Sequence, residues 1–266
     1  MPRIQANGTK LYYTEEGTGP ETILFAHGLL WNGQMFEAQI NAFKDCYRCI
    51  TFDFRGQGQS EVTHDGYDMD TLYQDTAALI EALGCAPCHF AGLSMGGFIG
   101  MRLASRRPEL LRSLILLGTS ADPEPEENVP RYKRLNFVAR WLGLRFVATP
   151  VMRIMFGQTF LADPNRATQR DEWKKRLIAN HRIGVTRAVK GVVARQGVYD
   201  EISKITTPTL IMVGEEDVAT IPVKAERIQA RIAGSRLVKI PRAGHSSAIE
   251  EPEAVNTAIR AFLNSL

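Results

Sequence analysis

Short runs of consecutive apolar residues alternate along this chain with longer stretches in which apolar residues recur every three or four positions. The runs read as strands buried on both faces, and the longer stretches as helices with one covered side. Lys10 to Glu15 and Thr22 to Ala26 are the first predicted strands, followed by a helix near Met35 to Phe43 and a strand that ends at Asp53. A helix then covers about Met69 to Leu83, with Leu72, Leu79, Ile80 and Leu83 near helical spacing. His89-Phe90-Ala91 is a short strand, Leu111 to Leu117 another. Between them, Met95 to Arg107 carries Phe98, Ile99, Met101 and Leu103 as a helix that Pro108 ends. Such alternation marks βαβ units, so the expected class is α/β, a mostly parallel central sheet flanked by helices.

The rhythm breaks after Gly118. Asp122-Pro123-Glu124-Pro125-Glu126-Glu127 reads as a polar linker, and from there to about Tyr199 the pattern is helical, with no convincing strand. Thr209 to Gly214 and Arg236 to Ile240 then restore the strand pattern, and a helix from about Glu253 to Leu263 closes the chain. The predicted organisation is a core in two parts, residues 1–121 and 201–266, with a helical cap, residues 122–200, inserted after the sixth strand.

At 266 residues and 44% hydrophobic content the chain is long enough for one full core. No apolar run reaches signal-peptide length near Met1, and none approaches the roughly 20 residues of a membrane span. A cytoplasmic protein that engages neither membrane nor nucleic acid is expected. The net charge of +3 is unevenly spread: residues 123–200 hold 15 Lys and Arg against 7 Asp and Glu, so the cap is basic and the remainder acidic. A basic surface steers anions, although basic helix faces are more often simply solvated. Cys46/Cys49 and Cys85/Cys88 have zinc-like spacing, but each pair adjoins or enters an extended run, where residues three apart point to opposite faces. Buried or half-buried thiols are expected instead, with no metal and no cofactor.

The chemistry centres on Gly92-Leu93-Ser94-Met95-Gly96, a G-x-S-x-G motif between a predicted strand and a predicted helix. A sharp strand-to-helix turn forces Ser94 into a strained backbone conformation, and side chains at positions 92 and 96 would collide with neighbouring backbone. Serine is a poor nucleophile at neutral pH and needs a general base held in the right tautomer by an acid. His245, in the small-residue loop after the last strand, is the expected base. Asp217, just past the strand ending at Gly214, is the expected acid, with Asp122 second; Glu215 and Glu216 read as turn residues facing water. Negative charge on an attacked carbonyl oxygen needs preorganised donors, for which the backbone N–H groups of Met95 and of Leu29, after His27-Gly28, are the candidates. His27 reads as a residue that fixes that loop, and His64, His89 and His181 as ordinary surface or strand residues. Trp31, Phe137, Trp141, Met152, Met155, Phe156 and, next to the acid, Val218 are the expected substrate-binding residues.

His27-Gly28, Asp53 to Ser60, Gly92 to Gly97, Gly214 to Asp217 and Gly244-His245 follow one another in an order that resembles the α/β-hydrolase fold superfamily nearly end to end. Gly244 to Ser247 followed by Glu250 to Glu253 makes the chain most similar to the 3-oxoadipate enol-lactonase-like group of esterases and lactonases, which includes esterases that open N-acyl homoserine lactones. The resemblance implies Ser94, His245 and Asp217 as a triad, and a small-molecule ester or lactone as substrate. A relative with an aspartate nucleophile, as in haloalkane dehalogenases and epoxide hydrolases, is excluded by Ser94. The H-x-H-x-D-H cluster of metal-dependent lactonases is absent. The expected function is metal-free hydrolysis of an N-acyl homoserine lactone or similar lactone. The alternatives are a 3-oxoadipate enol-lactone, perhydrolysis, or a ligand sensor on the same fold.

Overall fold

The computed structural model describes residues 2–266. Strand β1 (Arg3–Ala6) turns at Asn7-Gly8 into β2 (Thr9–Glu16). Both turn residues have positive φ, 44° and 76°, as the type I′ turn of a two-residue hairpin requires. The first strand is polar and was silent to the apolar pattern; Asn7-Gly8 is the signal that would have revealed it. Next come β3 (Thr22–Ala26), α1 (Glu37–Phe43), β4 (Arg48–Phe52), α2 (Met69–Ala82), β5 (Cys88–Leu93), α3 (Met95–Arg106) and β6 (Leu111–Leu117). Five helices follow without a strand: α4 (Val129–Trp141), α5 (Ala148–Met155), α6 (Gln158–Ala162), α7 (Ala167–Ile178) and α8 (Arg182–Val193). The chain then returns to the sheet with β7 (Thr209–Gly214), α9 (Pro222–Arg231), β8 (Arg236–Ile240), α10 (Ser247–Glu250) and α11 (Pro252–Leu263).

The eight strands form one sheet in the order β1-β2-β4-β3-β5-β6-β7-β8. The β1–β2 and β2–β4 pairings are antiparallel and the other five parallel. Every residue of β3, β5 and β7 is buried, which explains their unbroken apolar runs. Successive strand residues face opposite sides: Leu24 joins a core with α2, α3 and α9, whereas Ile23 and Phe25 join one with α1 and α11. From β3 the chain steps to β4 on one side and then to β5 on the other, so the strand order reverses between β3 and β5. A crevice opens outside the carboxyl ends of the strands at such a switch point.

The helices between β6 and β7 cover that crevice. Their apolar residues merge with the second core: Trp31 packs 5.7 Å from Phe156 and 5.2 Å from Trp173, and Phe156 stacks on Phe160 at 4.6 Å between centroids. No described helix is long and apolar enough to cross a membrane. All four cysteines are free thiols; Cys46 is exposed and the other three are buried.

Candidate active site

Ser94 links β5 to α3 with φ 53° and ψ −109°, a conformation that L-residues adopt only where the surroundings enforce it. The enforcement is visible in the flanking glycines. A Cβ on Gly92 would lie 2.4 Å from the carbonyl of Gly96, and one on Gly96 would lie 2.2 Å from the carbonyl oxygen of Ala26. The Ser94 N–H donates to the Leu117 carbonyl at 2.9 Å, and Thr119 Oγ1 donates to the Ser94 carbonyl at 2.8 Å. The turn is therefore clamped between β3 and β6, and Ser94 is held at the crevice.

Asp217 stands past the end of β7 and His245 past the end of β8; both are buried. His245 Nδ1 lies 2.9 Å from Asp217 Oδ2. The other acceptor positions of Asp217 are filled: Oδ1 takes the N–H groups of Ala219 at 2.8 Å and Thr220 at 2.9 Å, and Oδ2 takes the Thr220 hydroxyl at 2.8 Å. This network holds the carboxylate in one orientation and commits Nδ1 of the ring, leaving Nε2 free to face the crevice. Burial works against an imidazolium at His245, but the charge of Asp217 and the bond to it outweigh burial and raise the histidine above its ordinary value. Asp122, the second candidate acid, is instead paired with Lys224 at 2.8 Å and Arg227 at 3.1 Å, away from His245.

The loop after β3 is fixed by His27. Its Nε2 accepts the Phe54 N–H at 2.9 Å, and Nδ1 lies 2.7 Å from its neighbour's carbonyl at Gly28. Burial keeps this ring neutral, lowering its pKa despite the charge of Asp53. The Leu30 N–H donates to Gln57 Oε1 at 2.9 Å. Among the described residues the N–H groups of Leu29 and Met95 have no acceptor. The latter is the first residue of α3, where backbone donors lack intrahelical partners and the helix dipole favours an anion.

Ser94, His245 and Leu29 line one cavity of about 120 Å³ under the cap, closed by Met155, Val151 and Val185 among other apolar side chains. One cation reaches it, Arg195, and its charge is already matched: Nη1 lies 2.7 Å from Glu124 Oε2, both side chains being largely buried. Of the expected substrate-binding residues, Met155 lines this cavity. Trp31, Met152 and Phe156 are buried in the packing between cap and core, and the Trp31 indole donates to Ser246 Oγ at 3.1 Å. Phe137 and Trp141 are 63% and 66% exposed and line a separate groove on the outside of the cap, while Val218 is an exposed loop residue. Sequence periodicity could not separate these roles, because a helix shows its apolar stripe without showing what covers it.

Glu250, to which the sequence assigned no role of its own, and Glu216, which it expected to face water, hold the Asp217 and His245 loops to the cap. Glu250 is almost fully buried. Its Oε2 accepts the N–H groups of Gly157 at 2.8 Å and Gly244 at 3.0 Å, and its Oε1 that of Ser246 at 3.1 Å. Gly244 and Ser246 flank His245, and Gly157 joins α5 to α6 in the cap. Burial outweighs these three donors and pushes the Glu250 carboxyl up to about 7, with Asp217 adding to the rise. Glu216, expected to face water, is half-buried and accepts the Thr159 N–H at 2.8 Å. The sequence signal was faint: acidic residues beside a catalytic loop look solvent-facing until a cap helix lands on them.

Comparison with known proteins agrees with this architecture. A family model described as the alpha/beta hydrolase fold matches residues 21–252. The chain is 27% identical to a 3-oxoadipate enol-lactonase of Acinetobacter baylyi, covering 98% of this chain and 95% of that one. Among solved structures, a thermophilic esterase from Thermogutta terrifontis superposes with TM-score 0.92 at 28% identity over 100% of this chain and 99% of the other. Est816, described as an N-acyl homoserine lactone degrading enzyme, superposes with TM-score 0.84 at 25% identity, covering 98% of this chain and 100% of that one. With a matched model spanning most of its length and the strand order and serine turn described above, the chain belongs to the α/β-hydrolase fold family.

Proposed function

We propose that this protein is a serine hydrolase that opens a small, uncharged carboxylic ester or lactone through an acyl-enzyme. The observation that carries the reading is the buried Asp217–His245 bond beside the strained Ser94, on the wall of one apolar cavity. His245 Nε2 takes the Ser94 hydroxyl proton as Oγ attacks the carbonyl carbon, and the carbonyl oxygen gains negative charge against the N–H groups of Leu29 and Met95. Collapse expels the alcohol, which receives the proton from His245, and leaves an ester on Ser94. Water, deprotonated by the same histidine, attacks that ester; the acid is released and the serine restored. With a lactone the alcohol stays tethered and the product is one hydroxy acid.

The cavity argues for the substrate class. Its lining is apolar, and its one cation is neutralised by Glu124, so a carboxylate-bearing enol-lactone gains no free charge there. A volume of about 120 Å³ is close to that known to hold a benzene ring, which selects short acyl groups. The degradation of N-acyl homoserine lactones by a structural neighbour supports the lactone form of this reading, and the cavity size favours its short-chain members.

The test is turnover of p-nitrophenyl esters, short and long N-acyl homoserine lactones and anionic lactones by the wild type and by Ser94→Ala. Repeated turnover of short neutral substrates, with a mass adduct of the acyl group on Ser94, is expected. A single stoichiometric burst would mark a sensor instead, and undiminished activity of Ser94→Ala would refute the mechanism.

A further inference from the structure

The outer face of the cap carries a second concavity, a groove of about 820 Å³ between α4 and α8. Four cations line it, Lys133 and Arg140 from α4 and Arg187 and Lys190 from α8, and His64 reaches it from the loop before α2. No acidic side chain lines it. The sequence prepares this bias, since from Asn128 to Ala162 there are six Lys and Arg and no Asp or Glu. Phe137 and Trp141 stand 63% and 66% exposed at the same groove, more than isolated packing would leave uncovered.

One further feature fits an anion. The Arg140 guanidinium is half-buried and its Nη1, among the described residues, has no acceptor, so its charge is unmatched within the protein and is free to draw an anion to this wall of the groove. Tyr132, Asn136, Thr186, Val189 and Val193 line both this groove and the cavity above Ser94, so one wall of side chains separates the two spaces. They differ in charge: inside, the cation is cancelled by Glu124, whereas outside four cations face no anion.

We propose that the outer groove is a binding site for an amphipathic carboxylate, its head on the Lys133, Arg140, Arg187 and Lys190 cations and its apolar body against Phe137 and Trp141. Volume, charge and aromatic surface together match this class and no neutral one. Such a ligand is larger than the short acyl group that the inner cavity admits, so it is not the product of the proposed hydrolysis. The binding does not rest on the hydrolase reading, and it is measured without turnover.

Trp141 is the natural reporter, because the other two tryptophans, Trp31 and Trp173, are buried. Sodium octanoate titrated into the full chain should give a saturable change in tryptophan fluorescence that 1-octanol does not reproduce. The change should vanish in Trp141→Phe, and the dissociation constant should rise about fivefold in Lys133→Gln/Lys190→Gln, as loss of two exposed ion pairs implies. A thermal melt checks that this variant is folded, and Lys190→Glu alone should weaken octanoate in the same direction. Equal responses to octanoate and octanol, an unchanged constant in both lysine variants, or a signal that survives Trp141→Phe would each overturn the site. Co-sedimentation with phosphatidylglycerol vesicles but not phosphatidylcholine vesicles, without saturable octanoate binding, would overturn it in favour of a lipid surface.

Discussion

The loops at the strand ends and the cap above them are built on opposite principles. At the strand ends the polar groups are over-determined: Asp217 takes four hydrogen bonds, His27 joins two loops, and the serine turn is wedged by glycines that admit no Cβ. In the cap, short helices enclose an apolar cavity inside and leave cations and aromatic surface unmatched outside. Reaction geometry tolerates little displacement, so it is placed where many bonds agree. Selection of an acyl group requires only shape and charge, which a packed cap can change without moving the strand ends. The two regions meet where Glu250 and Glu216 hold the His245 and Asp217 loops to the α5–α6 junction.

The largest effect should follow from the strand-end side. Ser94→Ala removes the proposed attacking atom, and kcat for a short neutral ester should fall on the order of 10⁶-fold, as removal of a nucleophile in a serine triad does. Because the apolar wall of the cavity is unchanged, the affinity for a non-hydrolysed substrate analogue, measured by calorimetry, should stay near the wild-type value. A variant that lost binding along with turnover would break the separation between the two regions.

Asp217→Asn comes next. The charge of Asp217 is what raises His245 against its burial, and in the proposed mechanism the ring must be neutral to accept the Ser94 proton. In the wild type, kcat/KM should therefore fall as pH drops through a value above the ordinary imidazole one of about 6.5. The asparagine variant should lose on the order of 10⁴-fold in kcat, and its remaining activity should show the acid limb displaced to lower pH, where burial alone places it. An unmoved limb would assign the titration to another group.

These strand-end residues were legible in the sequence for a physical reason. A serine turn demands glycines at fixed offsets, and a strand-end acid and base must follow particular apolar runs, so the constraint is local and leaves a local mark. The central strands were legible likewise, being buried on both faces. The cap was legible as helical and basic, yet not in its roles: Phe137 and Met155 are both apolar residues at helical spacing, and the contacts that put one outside and the other above Ser94 come from distant segments. Glu250 escaped for the same reason, since its three partners lie at Gly157, Gly244 and Ser246.

Glu250→Gln tests the junction between the regions. The folded carboxyl sits at about 7 against an ordinary 4.5. A raised value means that its contribution to stability is fully present below pH 4.5 and is lost as pH rises through about 7, because the folded protein then gives up a proton that the unfolded chain has already lost. The wild type should thus lose roughly 3 kcal/mol relative to Glu250→Gln between pH 4.5 and pH 7.5, read from denaturant midpoints across that window. Parallel pH profiles for the two proteins would mean that the carboxyl titrates at its ordinary value, with the three N–H donors cancelling the effect of burial.

The smallest effect should come from the cap alone. Glu124→Gln removes the carboxylate that neutralises Arg195 in the cavity wall, so an anionic substrate meets a free guanidinium there. One recovered ion pair of about 1.4 kcal/mol corresponds to a tenfold change, so kcat/KM for a carboxylate-bearing enol-lactone should rise about tenfold relative to that for a neutral lactone of equal size. The acid limb set by His245 should not move, because Asp217 and its four bonds are untouched. If the ratio of anionic to neutral substrate stayed at the wild-type value while the variant remained folded, charge inside the cap would not select the acyl group, and shape would be left as the one contribution the cap makes.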